Sequence, residues 1–121
     1  MGSFVSSDPR GYRVVFDEGA WRHADDHHGG ATANFIQFAK VMTAPDFILD
    51  NEPIPGRTRI AQERYVRHEP SLGCYLIVPA RILETGQVVV GHGRVEAGTR
   101  IAVSSYPSGN TPRGGVVWRK L

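Results

Sequence analysis

The sequence contains a single cysteine, Cys74, among its 121 residues. A disulfide within the chain needs two cysteines, and a cysteine-based zinc site needs more, so both are excluded. No hydrophobic run approaches the roughly 18 residues of a membrane-spanning helix, and the start lacks the charged and apolar regions of a secretory signal. We therefore expect no membrane partner, and a location in the cytoplasm or in a particle assembled there.

Familiar catalytic and cofactor-binding motifs are missing as well. The sequence has no GxGxxG, no GxxxxGK[ST] and no GxSxG pattern, which removes the usual signatures of dinucleotide, nucleotide-phosphate and serine-hydrolase sites. Cys74 lies in an apolar segment, which favours a small core residue over a nucleophile. We expect no cofactor.

The composition is that of an ordinary folded protein. Hydrophobic residues make up 40% of the chain and charged residues 21%, which is typical of globular domains and not of disordered chains. A length of 121 residues is the usual size of one domain. We predict a single domain over residues 1–121.

The net charge of +2 conceals an uneven distribution along the chain. Residues 1–56 hold four basic and eight acidic groups, whereas residues 57–121 hold ten basic and four acidic groups. Such halves can attract each other between copies of a chain. Most of the cations are arginines, whose planar forks suit phosphate or carboxylate partners, although a high-GC genome would enrich arginine too.

The clearest helical pattern is an apolar stripe with spacing i, i+3, i+4 and i+7, formed by Phe35, Phe38, Ala39 and Met42. The pattern predicts a helix over about 32–43. Thr32 or Asn34 can cap its start, and Asn34 with Gln37 has the spacing of a capping box. Proline disfavours helical geometry in the residue before it, so Ala44-Pro45 ends the helix.

Most of the remaining chain has strand character. We predict strands at Tyr12–Phe16, Arg57–His68, Gly73–Leu83, Gln87–Val90, Arg100–Ser104 and Val116–Trp118. Pro79 indicates an edge strand or a bulge. Two Glu-small-Gly turns predict hairpins and a C-terminal meander. Loops are predicted for Asp17–Gly30 and Tyr106–Gly115, and residues 1–11 are predicted to form an irregular lead or an extended arm.

These elements predict an α+β fold. One helix, at about 32–43, packs on a mainly antiparallel sheet or partly closed barrel of about five strands, because a helix and a sheet must bury their apolar faces against each other.

A histidine-rich segment is the weaker of two candidate chemical sites. His23, Asp25, Asp26, His27 and His28 carry metal-ligand groups, and His23 and His27 have the i, i+4 spacing that chelates from a helix. Two glycines follow at once and a loop is predicted here. We therefore predict no metal site and keep His23, His27 and His28 as weak candidates.

The second candidate is Gly91-His92-Gly93-Arg94. Flanking glycines leave the backbone open to a ligand, His92 can act as a general acid or base, and Arg94 can stabilise an anion. His68 and Arg64 on a neighbouring strand would extend this surface. The alternative is a bulged strand end with a solvent-exposed histidine.

A basic binding surface is the last candidate. Its residues are Arg57, Arg59, Arg67 and Tyr106. The three arginines share strand parity, as do Glu63 and Tyr65, which predicts one strongly polar strand face. Such a face can contact nucleic-acid backbone, or it can be the solvated side of a half-buried sheet.

Two functional hypotheses follow. The favoured one is a non-catalytic interaction and assembly module, for example a structural subunit of a bacterial or phage particle, whose acidic and basic halves mediate self-association or binding to other proteins. The alternative is a small metal-independent ribonuclease or toxin-type phosphodiester enzyme that uses His92, Arg94, His68 and Arg64. Nucleic acid bound through the arginine-rich half is a partner under that alternative.

Overall fold

The structure is a computed structural model that describes residues 3–27, 33–50, 61–84, 87–89 and 93–121; the side chains of 23–27 and 87–89 are not described. The elements in chain order are β1 Ser3–Ser7, β2 Arg13–Asp17, α1 Glu18–His27, α2 Phe35–Thr43, β3 Phe47–Asp50, β4 Glu63–Glu69, β5 Cys74–Ile82, β6 Gln87–Val89, β7 Gly93–Val95, β8 Arg100–Ala102, β9 Tyr106–Ser108 and β10 Val116–Arg119. Neither helix described is long and apolar enough to span a membrane.

An open sheet of eight strands organises the fold. Its order is β1-β2-β8-β5-β4-β3-β10, with β9 also pairing with β5, and β6 and β7 form a separate two-stranded sheet. The β2–β8 pair is parallel and the other pairs described are antiparallel. The predicted α+β class with a mainly antiparallel sheet is confirmed. The prediction of about five strands is wrong, because β1, β3 and β9 fall outside the predicted strands. Strands β3 and β9 have only four and three residues, too few for a recognisable alternation, and the loop predicted for Tyr106–Gly115 is wrong over Tyr106–Ser108.

The N-terminal lead also contributes a strand that the sequence pattern concealed. Ser3–Ser7, part of the predicted irregular lead, forms β1 and pairs with β2 along its whole length. Three of its five residues are serine, so Phe4 and Val5 are the only aromatic and β-branched residues by which it could be recognised as a strand. Its position at the end of the sheet explains why it need not be apolar.

The predicted helix at about 32–43 is confirmed as α2 over Phe35–Thr43. Asn34 Oδ1 accepts a hydrogen bond from Gln37 N at 2.9 Å, and Gln37 Oε1 accepts one from Asn34 N at 3.0 Å, which completes the capping box. The helix buries Phe35, Phe38, Ala39 and Met42, as the apolar stripe predicts, and it also buries Val41, which is not part of that stripe.

The loop predicted for Asp17–Gly30 is wrong over Glu18–His27, which forms α1. Asp17 Oδ1 accepts a hydrogen bond from Ala20 N at 2.8 Å, as an N-cap side chain does. Ala20 is buried and Trp21 packs against the main core. This helix contacts the core through few apolar residues, so its sequence shows no apolar stripe.

Both faces of the sheet carry buried clusters. The main core lies beneath the helices and includes Val14 and Ile48. Their chain neighbours Val15 and Leu49 belong to two smaller clusters. Successive side chains of a strand point to opposite faces, so these smaller clusters lie on the face away from the helices, which we call the outer face.

Pro79 lies in β5, in the middle of the sheet and not at its edge. One side of β5 pairs with β4 at Cys74–Ala80, and the other side pairs with β9 at Tyr75–Ile77 and with β8 at Ala80–Ile82. Pro79 falls between those two partners, where its missing N–H removes no hydrogen bond from a regular ladder. Its carbonyl accepts a hydrogen bond from Val103 N at 3.0 Å.

The strand order interleaves the acidic and basic segments of the chain. Strand β8, from the basic segment, pairs with β2 from the acidic segment, and β3 lies between β4 and β10. The two segments therefore do not form separate layers, and the surface charge of any region depends on individual residues.

Candidate functional site

A tight turn joins β1 to β2 and is held by Asp8. Asp8 N donates to Tyr12 O at 2.8 Å, and Gly11 N donates to Asp8 O at 2.9 Å. Asp8 Oδ1 accepts from Arg10 N at 2.8 Å and from Tyr12 N at 3.1 Å. Gly11 has φ +94°, a conformation that glycine adopts without strain. The turn thereby fixes where β1 lies.

A buried network of charged groups ties this turn to the centre of the sheet. Arg10 donates from both terminal nitrogens to the Glu63 carboxylate, each at 2.8 Å, and Arg10 Nη2 also donates to Asp8 Oδ2 at 2.8 Å. Arg100 Nε donates to Glu63 Oε1 at 3.2 Å. Tyr65 Oη donates to Asp8 Oδ2 at 2.7 Å. Two carboxylates face two guanidiniums, so the network is electrically balanced.

Burial and neighbouring charges shift the pKa values of the residues in this network. Burial by itself raises the pKa of Glu63, but hydrogen bonds and charge from Arg10 and Arg100 outweigh burial and hold that pKa below its ordinary value. Burial likewise lowers the pKa of Arg10, yet its bonds to Glu63 and Asp8 raise the net pKa. Burial and the bond to Asp8 raise the pKa of Tyr65. The charged forms of Glu63 and Arg10 and the neutral phenol are thus favoured.

The sequence pattern places Glu63 and Tyr65 on one strongly polar strand face, either in contact with nucleic-acid backbone or solvated. The grouping is correct, but both residues are buried on the helix side of β4. The burial follows from Asp8 and Arg10, which arrive from a distant part of the chain and satisfy the polar groups. Because its members bond to one another, the network is an anchor for the β1–β2 hairpin and not a reactive centre.

Strand β1, held by this anchor, is one outer edge of the eight-stranded sheet. Asp8 and Tyr12 form a hydrogen-bonded pair, and bonded and non-bonded pairs alternate along an antiparallel ladder. Phe4 and Ser6 therefore bond to β2, while Val5 and Ser7 direct their backbone groups away from it. The Val5 side chain is 46% exposed. The strand contains no charge, no proline and no bulge.

The opposite edge, β10, differs from β1 in its charge and in its regularity. Its pairing with β3 shifts register between Val116 and Trp118, which marks a bulge. Arg119 is exposed at its end and Lys120 follows. Bulges and cationic side chains are devices that keep sheet edges from pairing with other chains. Edge β10 is therefore protected, and β1 is not.

A cleft of about 250 Å³ adjoins β1 on the outer face. It is lined by Val5, Arg13, Val15, Arg94 and Val95. Both arginines are exposed, and neither makes a hydrogen bond or an ion pair with any group that the structure describes. Among the described residues, the cleft thus combines two uncompensated positive charges with an apolar surface supplied mainly by Val5.

The other predicted site residues on β4 are already engaged. Arg64 Nη2 donates to Arg113 O at 2.5 Å, and Arg67 Nη1 donates to Ala44 O at 2.7 Å. The exposed His68 packs its ring edge-on to Tyr75 with centroids 5.0 Å apart. Tyr106 lies in β9 opposite Ile77. The arginine bonds are structural, since each guanidinium satisfies a backbone carbonyl.

The four predicted catalytic residues are not brought together in the part of the chain that is described. Arg94 lines the cleft beside β1 and β2, whereas Arg64 and His68 lie on β4, three strands from β2. At about 4.8 Å a strand, that separation is roughly 14 Å. His92 lies outside the described residues.

The remaining predicted residues add no site. Arg57, Arg59 and His28 lie outside the described residues. His23 and His27 fall four residues apart within α1, so the helix that their spacing requires is present. Among the described side chains, no group of three or more metal-ligating residues occurs.

Comparison with known proteins identifies no relative: no protein-family model, no curated protein and no solved structure matches the chain significantly. The function must therefore be argued from the residues of this chain.

Proposed function

We propose that this protein is a non-catalytic interaction module that self-associates through its edge strand β1. The observation that carries the proposal is the contrast between the two edges of the sheet. Edge β10 has a bulge and cationic residues, whereas β1 is regular, uncharged and anchored from behind by a buried ionic network. An exposed strand of this kind is a template for another strand.

A second copy of β1 is the partner that the chemistry of the strand fits. In an antiparallel two-fold pair the residue on the axis faces its own copy, so a charge there would face the same charge. The sequence Ser3-Phe4-Val5-Ser6-Ser7 carries no charge. Edge β10 carries Arg119 and is interrupted by a bulge, which disfavours regular pairing with a second copy there.

The orientation of the backbone groups also defines a register. Val5 and Ser7 direct their N–H and C=O groups outward. An antiparallel pair centred on Val5 therefore places outward-facing backbone groups of the two copies opposite each other. Val5 then faces Val5 of the second copy and exchanges two backbone hydrogen bonds with it. Ser7 lies opposite Ser3 of the second copy on either side. The result is one sheet continuous across two molecules.

The expected affinity is modest. The strand has five residues, so the interface is smaller than the roughly 1,200–2,000 Å² of a standard stable complex. We therefore expect a dimer that forms in the micromolar range and dissociates on dilution.

Light scattering coupled to size exclusion tests the proposal through a matched pair of variants. Val5→Lys places a charge beside its own copy and should leave a monomer at concentrations where the parent is dimeric. Val117→Lys is the control, because Val117 lies on the other edge and is 47% exposed, against 46% for Val5.

The outcomes separate the alternatives. A parent protein that is monomeric from about 1 μM to about 1 mM, a range that covers weak complexes, contradicts the proposal. Equal loss of association in both variants would instead indicate pairing of β1 with β10 of the next copy. A monomer that carries nucleic acid, detected by absorbance at 260 nm, would favour the nucleic-acid alternative.

A further inference from the structure

The geometry of the cleft beside β1 points to a second site, and we propose that it binds a small phosphate monoester with an apolar substituent. The cleft is lined by two arginines, Arg13 from β2 and Arg94 from β7, and by Val5, Val15 and Val95. This proposal concerns a ligand and not assembly, so it does not depend on whether β1 pairs with a second copy.

The lack of bonding partners in the described structure distinguishes Arg13 and Arg94 from the arginines that stabilise the fold. Arg10 and Arg100 are neutralised by Glu63, and Arg64 and Arg67 bond to backbone carbonyls. Arg13 and Arg94 are exposed, and both come without a bonded partner in the described structure, although they arise from different strands and meet at one cleft. No carboxylate is among the residues described as lining it.

Two guanidiniums favour a dianion over a monoanion. A single carboxylate can bond to two arginines, as Glu63 does with Arg10 and Arg100, but its one negative charge compensates only one of them. A phosphate monoester carries between one and a half and two negative charges near neutral pH and has three terminal oxygens, as phosphorylated side chains illustrate. It can accept from two forks at once and compensate both charges.

The valines and the volume define the rest of the ligand. Val15 and Val95 are only 2% and 5% exposed, whereas Val5 is 46% exposed, so Val5 supplies most of the apolar surface that a free inorganic phosphate would leave uncovered. Drug-sized ligands occupy pockets of about 300–1,000 Å³, and the cleft, at about 250 Å³, lies just below that range. A phosphate ester with a compact apolar group, such as an aromatic ring, matches both features.

Isothermal titration calorimetry with phenyl phosphate, inorganic phosphate and benzoate at one fixed ionic strength tests the assignment. We expect saturable binding of phenyl phosphate, weaker binding of inorganic phosphate and weaker binding still of benzoate, which has the ring but only one charge. Arg13→Gln and Arg94→Gln should each weaken phenyl phosphate binding at least about tenfold, the loss expected for one charge-assisted bidentate contact.

Arg81→Gln is the matched control. Arg81 is exposed on the same sheet, opposite Ile101 in β8, and it does not line the cleft. Its replacement should leave the affinity unchanged. An equal loss of affinity in Arg81→Gln would show general attraction to a basic surface. Benzoate binding as tightly as phenyl phosphate would show that the second negative charge does not contribute to binding. Either result, or no saturable binding of phenyl phosphate, overturns the proposal.

The pH dependence adds an independent readout. The second ionisation of a phosphate monoester has a pKa near about 6, while both arginines remain charged throughout the working range. Binding should therefore strengthen as the pH rises from about 5 to about 7.5 and the ligand becomes a dianion. Affinity that is flat over this range would contradict recognition by two guanidiniums.

Discussion

Glu63→Gln tests the claim that a buried ionic network anchors the β1–β2 hairpin. The glutamine keeps the size of the side chain but removes its charge and replaces one acceptor oxygen with an NH₂ group. That group would face the guanidiniums of Arg10 and Arg100, which have no lone pair to accept from it. Asp8 would then be the only carboxylate left to balance two guanidiniums in the network.

The magnitude follows from the burial of the partners. The Glu63 side chain is 9% exposed, with Arg10 at 16% and Arg100 at 8%, so solvent screens the unbalanced charge weakly. Removing one partner of a buried ion pair costs about 3–5 kcal/mol, a large part of the roughly 5–15 kcal/mol by which proteins of this size are stable. With a urea slope of about 1–3 kcal/mol per molar, the unfolding midpoint should fall by at least about 1 M.

Urea unfolding at pH 7 followed by circular dichroism measures this directly, and Glu69→Gln is the control. Glu69 lies on the same strand and the same face but is less buried and accepts one bond, from Ser71 Oγ at 2.9 Å. Its replacement should change the free energy of unfolding by no more than about 0.5 kcal/mol. If Glu63→Gln also stays within that limit, the network is not an anchor and the reasoning fails.

Two further predictions concern the same fold. The pKa of Glu63 in the folded protein lies below its ordinary value of 4.5, so as the pH falls Glu63 is protonated first in the unfolded chain. The stabilisation that Glu63 provides is therefore complete above pH 4.5, and it is lost below pH 4.5 as the pH approaches the pKa of the folded state. The stability difference between the parent and Glu63→Gln, measured by urea titration, should therefore shrink below pH 4.5, and a constant difference would contradict the assignment. Asn34→Ala removes the side-chain half of the capping box and should lower the free energy of unfolding by about 1 kcal/mol, whereas no change in thermal unfolding would show that the cap is not formed.

The sequence predicts those elements whose local signals agree with their environment. Helix α2 combines a capping pair, an apolar stripe and a terminating proline, and each feature depends only on residues close in the chain. Strands β2 and β5 have apolar content that suits a buried sheet. These elements could be predicted because tertiary contacts reinforce what the local sequence already favours.

The missed elements depend on contacts between distant parts of the chain. Strand β1 is mostly serine, and only its pairing with β2 makes it a strand. Helix α1 begins at an Asp17 cap and packs Trp21 on the core, but it has no apolar stripe.

In the candidate site too, local sequence indicates some residues, and contacts between distant parts of the chain determine the others. Arg94 was singled out from its glycine-rich surroundings, and the fold places it in a cleft with Arg13, which nothing in the local sequence indicated. Strand parity places Glu63 on a strongly polar face, yet Arg10, 53 positions away, makes it the centre of a buried network. Such pairings are set by strand order, which a single sequence does not reveal.

The measurement that tests the central claim most directly is disulfide formation across the proposed two-fold axis. In a Cys74→Ser background, Val5→Cys would place two cysteines opposite each other with Cα atoms about 5.5 Å apart, within the range that a disulfide spans. We predict rapid formation of a covalent dimer under mild oxidation, while Val117→Cys, equally exposed on the other edge, stays largely monomeric. Failure of Val5→Cys to crosslink, or equal crosslinking of both variants, would contradict self-association through β1.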